Sequence, residues 1–211
     1  MQIGDYIVHV VDDEEPVRRS LAFLLATVGF PVRVHESAEG FLASAASAGR
    51  ACLITDLKMP DMSGVELLER LNSMGAMMPT VVITGHGDVP MAVAAMKAGA
   101  VDFIEKPFAD EALIDAVKRA ASRLEEAPDD ARDVQALRAR LDGLSERERQ
   151  VLSMVVAGLP NKTIAYDLNI SPRTVEVHRA NIMSKMQARS LPELVRMSVA
   201  MGLAGGGRAG R

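Results

Sequence analysis

A chain of 211 residues has room for one large domain or two small ones. With 48% hydrophobic and 25% charged residues, it has the composition of a folded globular protein and not of a disordered one. Its single cysteine, Cys52, excludes an internal disulfide framework and a multi-cysteine zinc site, and suits a reducing compartment. Five Phe, two Tyr and no Trp leave the core to aliphatic side chains, with 13 Met as adaptable filler. The longest apolar run, residues 21–28, is too short to cross a bilayer, and residues 1–5 lack the basic segment of a secretory signal. The expectation is a cytoplasmic protein.

Charge divides the chain. Residues 1–124 carry 11 Lys or Arg against 17 Asp or Glu, residues 125–143 carry 3 against 6, and residues 144–211 carry 10 against 5. An acidic first part and a basic last part point to different partners.

In chain order, residues 6–11, 32–35, 51–55, 80–84 and 101–104 are short, Val- and Ile-rich apolar runs, as strands buried on both faces should be. Helical spacing separates them: Val17, Leu21, Leu24, Leu25 and Val28 before Gly29, then residues 37–46, 64–72, 89–98 and 110–124. Five alternating units predict a doubly wound, five-stranded parallel sheet with helices on both faces, an α/β domain over residues 1–124. The acidic, proline-containing stretch at 125–133 opens a linker reaching residue 143. Val134, Leu137 and Leu141 permit a short helix there, with Arg138 and Arg140 on its wetter side, and a flexible tether fits the segment nearly as well.

Residues 144–203 read as a smaller, all-α domain of four helices. Ser145-Glu146-Arg147-Glu148 is a capping box, and its helix stops at Gly158-Leu159-Pro160. Residues 161–168 form the second helix. The turn Asn169-Ile170-Ser171 leads to a third with Ser171 as N-cap and Pro172 at its first position. A fourth covers 191–201, and residues 204–211 are expected to be a disordered tail.

Function in an open parallel sheet gathers beyond the carboxyl ends of the strands. Strand one ends in Asp12 and Asp13, strand three in Asp56, strand four in Thr84 and strand five in Lys106, whereas strand two ends in nothing chemically notable. Clustered carboxylates repel one another unless a divalent cation lies among them, and a hard oxygen set prefers Mg²⁺. One Asp could then attack phosphorus while Lys106 offers a counter-charge and Thr84 a hydrogen bond. Taken singly, Asp12-Asp13 reads as a solvated turn and Asp56 as a turn initiator before Met59-Pro60. The coincidence of all five strand ends favours the site.

Asp12-Asp13, Asp56 with Met59-Pro60-Asp61 and Gly64, Thr84-Gly85 and Lys106-Pro107 resemble the receiver domain of bacterial two-component response regulators, a CheY- and flavodoxin-like fold. The resemblance implies Asp56 as phosphoacceptor, and Asp12, Asp13, Asp56 and the main-chain carbonyl of Lys58 as Mg²⁺ ligands. It also implies Phe103 as a switch residue, standing where many members carry Tyr, and a cis Lys106–Pro107 bond. Phosphorylation by a sensor histidine kinase, homodimerisation and slow self-dephosphorylation belong to the same implication.

Residues 161–186 have the form of a helix-turn-helix, whose second helix enters the DNA major groove. Val175, His178, Ile182 and Met186 share its inner face. Glu176, Val177, Ala180 and Asn181 lie opposite, with Lys162, Arg173, Arg179 and Lys185 placed to meet phosphates and Thr174 beside them. Leu144-Ser145-Glu146-Arg147-Glu148, Asn161-Lys162-Thr163-Ile164-Ala165 and Ser171-Pro172-Arg173-Thr174-Val175-Glu176-Val177-His178 resemble LuxR-type DNA-binding domains. The stretches 84–90, 99–103 and 182–186 are similar to FixJ-type regulators of nitrogen-fixing rhizobia. That likeness implies an oxygen-sensing, FixL-like kinase, promoter DNA and RNA polymerase as partners.

A phosphorylation-activated transcription factor is therefore the expected function. A haloacid-dehalogenase-type phosphohydrolase would need Asp-x-Asp, whereas the sequence is Asp56-Leu57-Lys58. A DNA-binding protein with a purely structural first domain would not need the acidic pocket.

Overall fold

A computed structural model describes residues 6–45, 49–76, 78–85, 89–124 and 130–203, with only the backbone described over 130–134. The expected tail, the first five residues and the start of the linker lie outside the described residues. The chain divides into two compact units, Met1–Gly87 with Ala98–Glu126, and Asp88–Lys97 with Ala127–Arg211.

In the first unit, β1 (Ile7–Val11), β2 (Val32–His35), β3 (Ala51–Asp56), β4 (Thr80–Thr84) and β5 (Asp102–Glu105) form one parallel sheet in the order β2-β1-β3-β4-β5. Every residue of β3 and β4 is buried, which explains their continuous apolar sequence. Helices α1 (Glu15–Thr27), α2 (Ala38–Ala45), α3 (Gly64–Ser73) and α5 (Asp110–Ser122) cover the two faces. On one side Val8, Val10, Ile54 and Ile83 pack against Leu21 and Leu25 of α1 and Leu113 and Val117 of α5. On the other, Val11 and Leu53 meet Phe41 of α2 and Leu67 and Leu71 of α3. Each fully buried Leu or Phe contributes about 1.5–3 kcal/mol relative to exposure. β5 begins one residue later than its apolar run suggests, because Asp102 pairs with Val81 and its buried carboxylate is met by Arg119 of α5.

The second unit holds α4 (Val89–Lys97), α6 (Asp130–Asp142), α7 (Glu146–Val156), α8 (Asn161–Asp167), α9 (Pro172–Met186) and α10 (Leu191–Ala200). α4, which the sequence places in the α/β part, packs against α10. Leu144, Val151, Leu152, Ile164, Val175, Ile182 and Met186 make the core. Serine N-caps start three of the helices. Ser145, Ser171 and Ser190 each accept from the amide three residues on, and Ser145 completes a full capping box with Glu148. The linker is helical from Asp130. Arg140 is not on its wetter side: it is half-buried and donates to the Met186 carbonyl at the end of α9, whereas Arg138 is exposed.

Candidate functional site

The carboxyl edge of the sheet collects the acidic and basic strand ends. Asp12 is 2% exposed and Asp56 is 9% exposed, and the Lys106 ammonium stands between them, 3.2 Å from Asp12 Oδ2 and 2.8 Å from Asp56 Oδ1. Thr84 is buried at the end of β4, and its carbonyl accepts from the Lys106 amide at 2.7 Å. The Lys106–Pro107 bond is cis. Phe103 lies half-buried on β5. The Lys58 amide donates to Asp56 Oδ2 at 2.7 Å, folding the loop after β3 back over the carboxylate.

Gly64 makes this loop possible. A Cβ there would lie 2.5 Å from the Asp56 carbonyl oxygen, so the start of α3 can approach the site only as glycine.

Asp13 behaves differently from Asp12. It is exposed and lines a cleft of about 330 Å³ with Arg18, Glu36, Ser37, Pro60 and Asp61. Two carboxylates are thus gathered around Lys106, while the third stays at the rim. Among the described residues, no group of three His, Cys, Asp or Glu side chains is gathered to hold a metal ion. The pair still fits Mg²⁺, which takes one or two carboxylates and keeps several waters.

The electrostatics fit a site that wants a cation. Burial raises the Asp12 carboxyl above its ordinary range, against the Glu14 amide and Lys106, which pull it down, and Asp56 adds to the rise. Burial alone would lower Lys106, but its bond to Asp56 and the charges of Asp56 and Asp12 outweigh that and raise it.

Sequence reasoning saw nothing at the end of strand two, yet His35 sits there. Its Nε2 lies 2.8 Å from Nδ1 of the buried His9, and both rings pack on Phe41. A His on each of two adjacent strands was the available signal; the sheet order that made them neighbours was not.

In the helix-turn-helix, Val175, Ile182 and Met186 are buried as expected, and His178 is half-buried beside them. Glu176, Val177, Ala180 and Asn181 are exposed on the opposite face, as are Lys162 and Arg173. Thr174 shares its hydroxyl with the Ser171 cap at 2.8 Å. Two of the four expected phosphate contacts are engaged within the module. Arg179 donates to Asn161 Oδ1 at 2.7 Å, tying α9 to α8, and burial lowers its pKa. Lys185 donates to Glu148 at 2.7 Å. Tyr166 on α8, 86% exposed, is a large surface aromatic that spacing did not single out.

Residues 8–118 match the response regulator receiver domain, and residues 142–198 match the luxR family of bacterial regulatory proteins. The chain is 66% identical over 198 residues to the transcriptional regulatory protein FixJ of Rhizobium meliloti, covering 94% of this chain and 97% of that one. It is 57% identical over 199 residues to FixJ of Azorhizobium caulinodans, covering 93% of each. Its structure is similar to full-length FixJ from B. japonicum at 45% identity, with a TM-score of 0.56 over 94% of this chain and 97% of that one. With an acidic site beyond a parallel sheet and a helix-turn-helix in the same chain, this protein belongs to the response regulators that join a receiver domain to a LuxR-type domain, and it is a two-component transcription factor like FixJ.

Proposed function

We propose that a FixL-like sensor histidine kinase phosphorylates Asp56, and that the phosphorylated chain dimerises and binds promoter DNA. With RNA polymerase it then activates nitrogen-fixation genes under low oxygen, in the cytoplasm. In this reading residues 1–124 receive the signal, 125–143 link, and 144–203 bind DNA. The observation that carries it is the Lys106 ammonium held between Asp56 and Asp12, a fixed cation in an acidic pocket that otherwise repels phosphate.

An Asp56 carboxylate oxygen attacks phosphorus. A P–O bond forms as the P–N bond to the kinase imidazole breaks, and the imidazole leaves with the electron pair. Asp12, Asp13, Asp56 and the main chain of Lys58 would hold Mg²⁺, which when bound neutralises charge on the transferred group. Lys106 passes from the carboxylates to the phosphoryl oxygens, and the Thr84 hydroxyl donates to one of them. Phe103 fills the space that Thr84 leaves. This reshapes the surface formed by residues 103–108, where a second copy pairs in two-fold fashion. Water slowly returns Asp56 to its free form.

The test is DNA binding by the full-length chain with and without acetyl phosphate and Mg²⁺, alongside Asp56→Asn. The wild type should gain the mass of one phosphoryl group, sediment as a dimer and bind DNA more tightly. The variant should do none of these. Undiminished labelling of Asp56→Asn would sink the assignment.

A further inference from the structure

The loop after β3 is fastened to a helix that touches none of the reacting groups. Asp61 Oδ2 accepts from the Glu39 amide at 2.9 Å, and the main-chain amides of Met62, Asp61 and Ala38 add to the pull on its charge. The Gly40 amide goes to Ser37 Oγ at 3.1 Å. The first turn of α2 thus divides its free amides between its own N-cap, Ser37, and a residue 22 positions along the chain. Burial would raise the Asp61 carboxyl, but these amides outweigh that and hold it below its ordinary range.

The rest of the loop is pinned at its ends. The Lys58 amide bonds Asp56, and the Gly64 amide donates to the Leu57 carbonyl at 2.9 Å. Met59 and Met62 are buried against Ala38, Phe41 and Ala45 of α2. Asp61 shares one cleft with Asp13. Between Lys58 and Ser63, Asp61 is therefore the polar fastening that sets where the loop lies relative to the pocket.

We infer that Asp61 is a positioning residue for the metal pocket: by capping α2 from the β3–α3 loop, it holds the Lys58 main chain in register with Asp56 for Mg²⁺. This rests on the reading that Asp56 is phosphorylated with Mg²⁺. Hydrogen-bonding partners that orient metal ligands typically change metal affinity by about 10- to 100-fold when removed.

The experiment is calorimetric titration of the full-length chain with Mg²⁺ alone, followed by acetyl phosphate labelling at low and saturating Mg²⁺. Asp61→Ala should bind Mg²⁺ about tenfold more weakly. Its labelling should be slow at low Mg²⁺ and return close to the wild-type rate at saturation. Asp61→Asn, which keeps an acceptor oxygen and loses the charge, should bind Mg²⁺ like the wild type. Asp61→Glu, which keeps the charge and displaces the oxygens, should bind like Asp61→Ala. Both remain informative if the alanine variant does not fold. Unchanged Mg²⁺ affinity in Asp61→Ala overturns the inference. So does the reverse ranking of the other two, which would make Asp61 a remote charge. A wild-type chain that binds Mg²⁺ but takes no phosphoryl group sinks the proposed function while leaving the role of Asp61 readable from the titration. A wild-type chain that binds no Mg²⁺ overturns both.

Discussion

Lys185, near the end of the recognition helix α9, donates to Glu148 at 2.7 Å, and the same carboxylate accepts from the Ser145 amide in the capping box of α7. One carboxylate therefore starts α7 and anchors α9. The bond from Lys185 and then that from Ser145 hold the Glu148 carboxyl down at about 2.

Lys185→Met should consequently loosen the module, by about 1–3 kcal/mol in denaturant unfolding of the full chain. It should weaken DNA binding without changing the slope of affinity against salt. Arg173→Ala and Lys162→Ala remove exposed cations, so each should lower that slope by about one while leaving stability near wild type. A salt slope that falls equally in Lys185→Met would return Lys185 to the phosphate contacts.

Gly64→Ala tests the close approach of α3 to the phosphoacceptor. The added Cβ meets backbone at 2.5 Å, which no rotamer can relieve. The cost is about 1–3 kcal/mol of stability, and acetyl phosphate labelling of Asp56 should slow with it. Thermal melting and labelling rates of wild type and variant at saturating Mg²⁺ decide the matter, and an unperturbed variant would mean that α3 shifts freely.

Asp12→Asn should stabilise the metal-free protein. Burial raises the Asp12 carboxyl, so the fold resists its ionised form. An acid raised in this way subtracts from stability at neutral pH, and the penalty fades as pH falls. The amide should raise the melting temperature by a few degrees, the response to about 1 kcal/mol in a domain of this size. It should also abolish any further rise on adding Mg²⁺. A lower melting temperature would show that Lys106 requires both carboxylates.

The His9–His35 pair makes the sheet acid-sensitive. His9 is pushed down to about 4, chiefly by burial and then by His35 and Arg33; burial and Arg33 also lower His35. Among the described residues, Nε2 of His9 has no hydrogen-bond partner, so a second proton there would be stranded. Both rings favour the neutral folded form. Their contribution is complete above about pH 6.5 and is lost as pH falls toward 4, with His9 alone accounting for roughly 3 kcal/mol at the lower end. Urea unfolding between pH 7.5 and 4.5 should show the loss. His9→Phe, which keeps a ring against Phe41, should flatten it. Parallel loss in both proteins would assign the effect to carboxylates instead.

Much of this was local, and local information is legible in sequence. The runs of Val and Ile marked five strands within about a residue. Burial on both faces leaves no alternation to misread in β3 and β4. β2, expected to be buried likewise, lies at the sheet edge with no fully buried residue and Val34 exposed. Ser145, Ser171 and Ser190 marked helix starts because a cap is a bond between residues three apart. Asp12, Asp56, Thr84 and Lys106 were visible as candidates because each ends its own strand, and parallel strands end together.

What the tertiary structure decided were the distances between residues far apart in the chain. It separated Asp12 from Asp13, neighbours in sequence, into a buried partner of Lys106 and a rim residue. Lys185 and Arg179 look alike as cations on α9, yet each is tied to a different neighbouring helix. His9 and His35 became partners because β2 lies beside β1, and Asp61 became a cap because α2 lies beside the β3–α3 loop. Residue type and spacing specify what a side chain can bond; only the packing of distant segments brings it a partner.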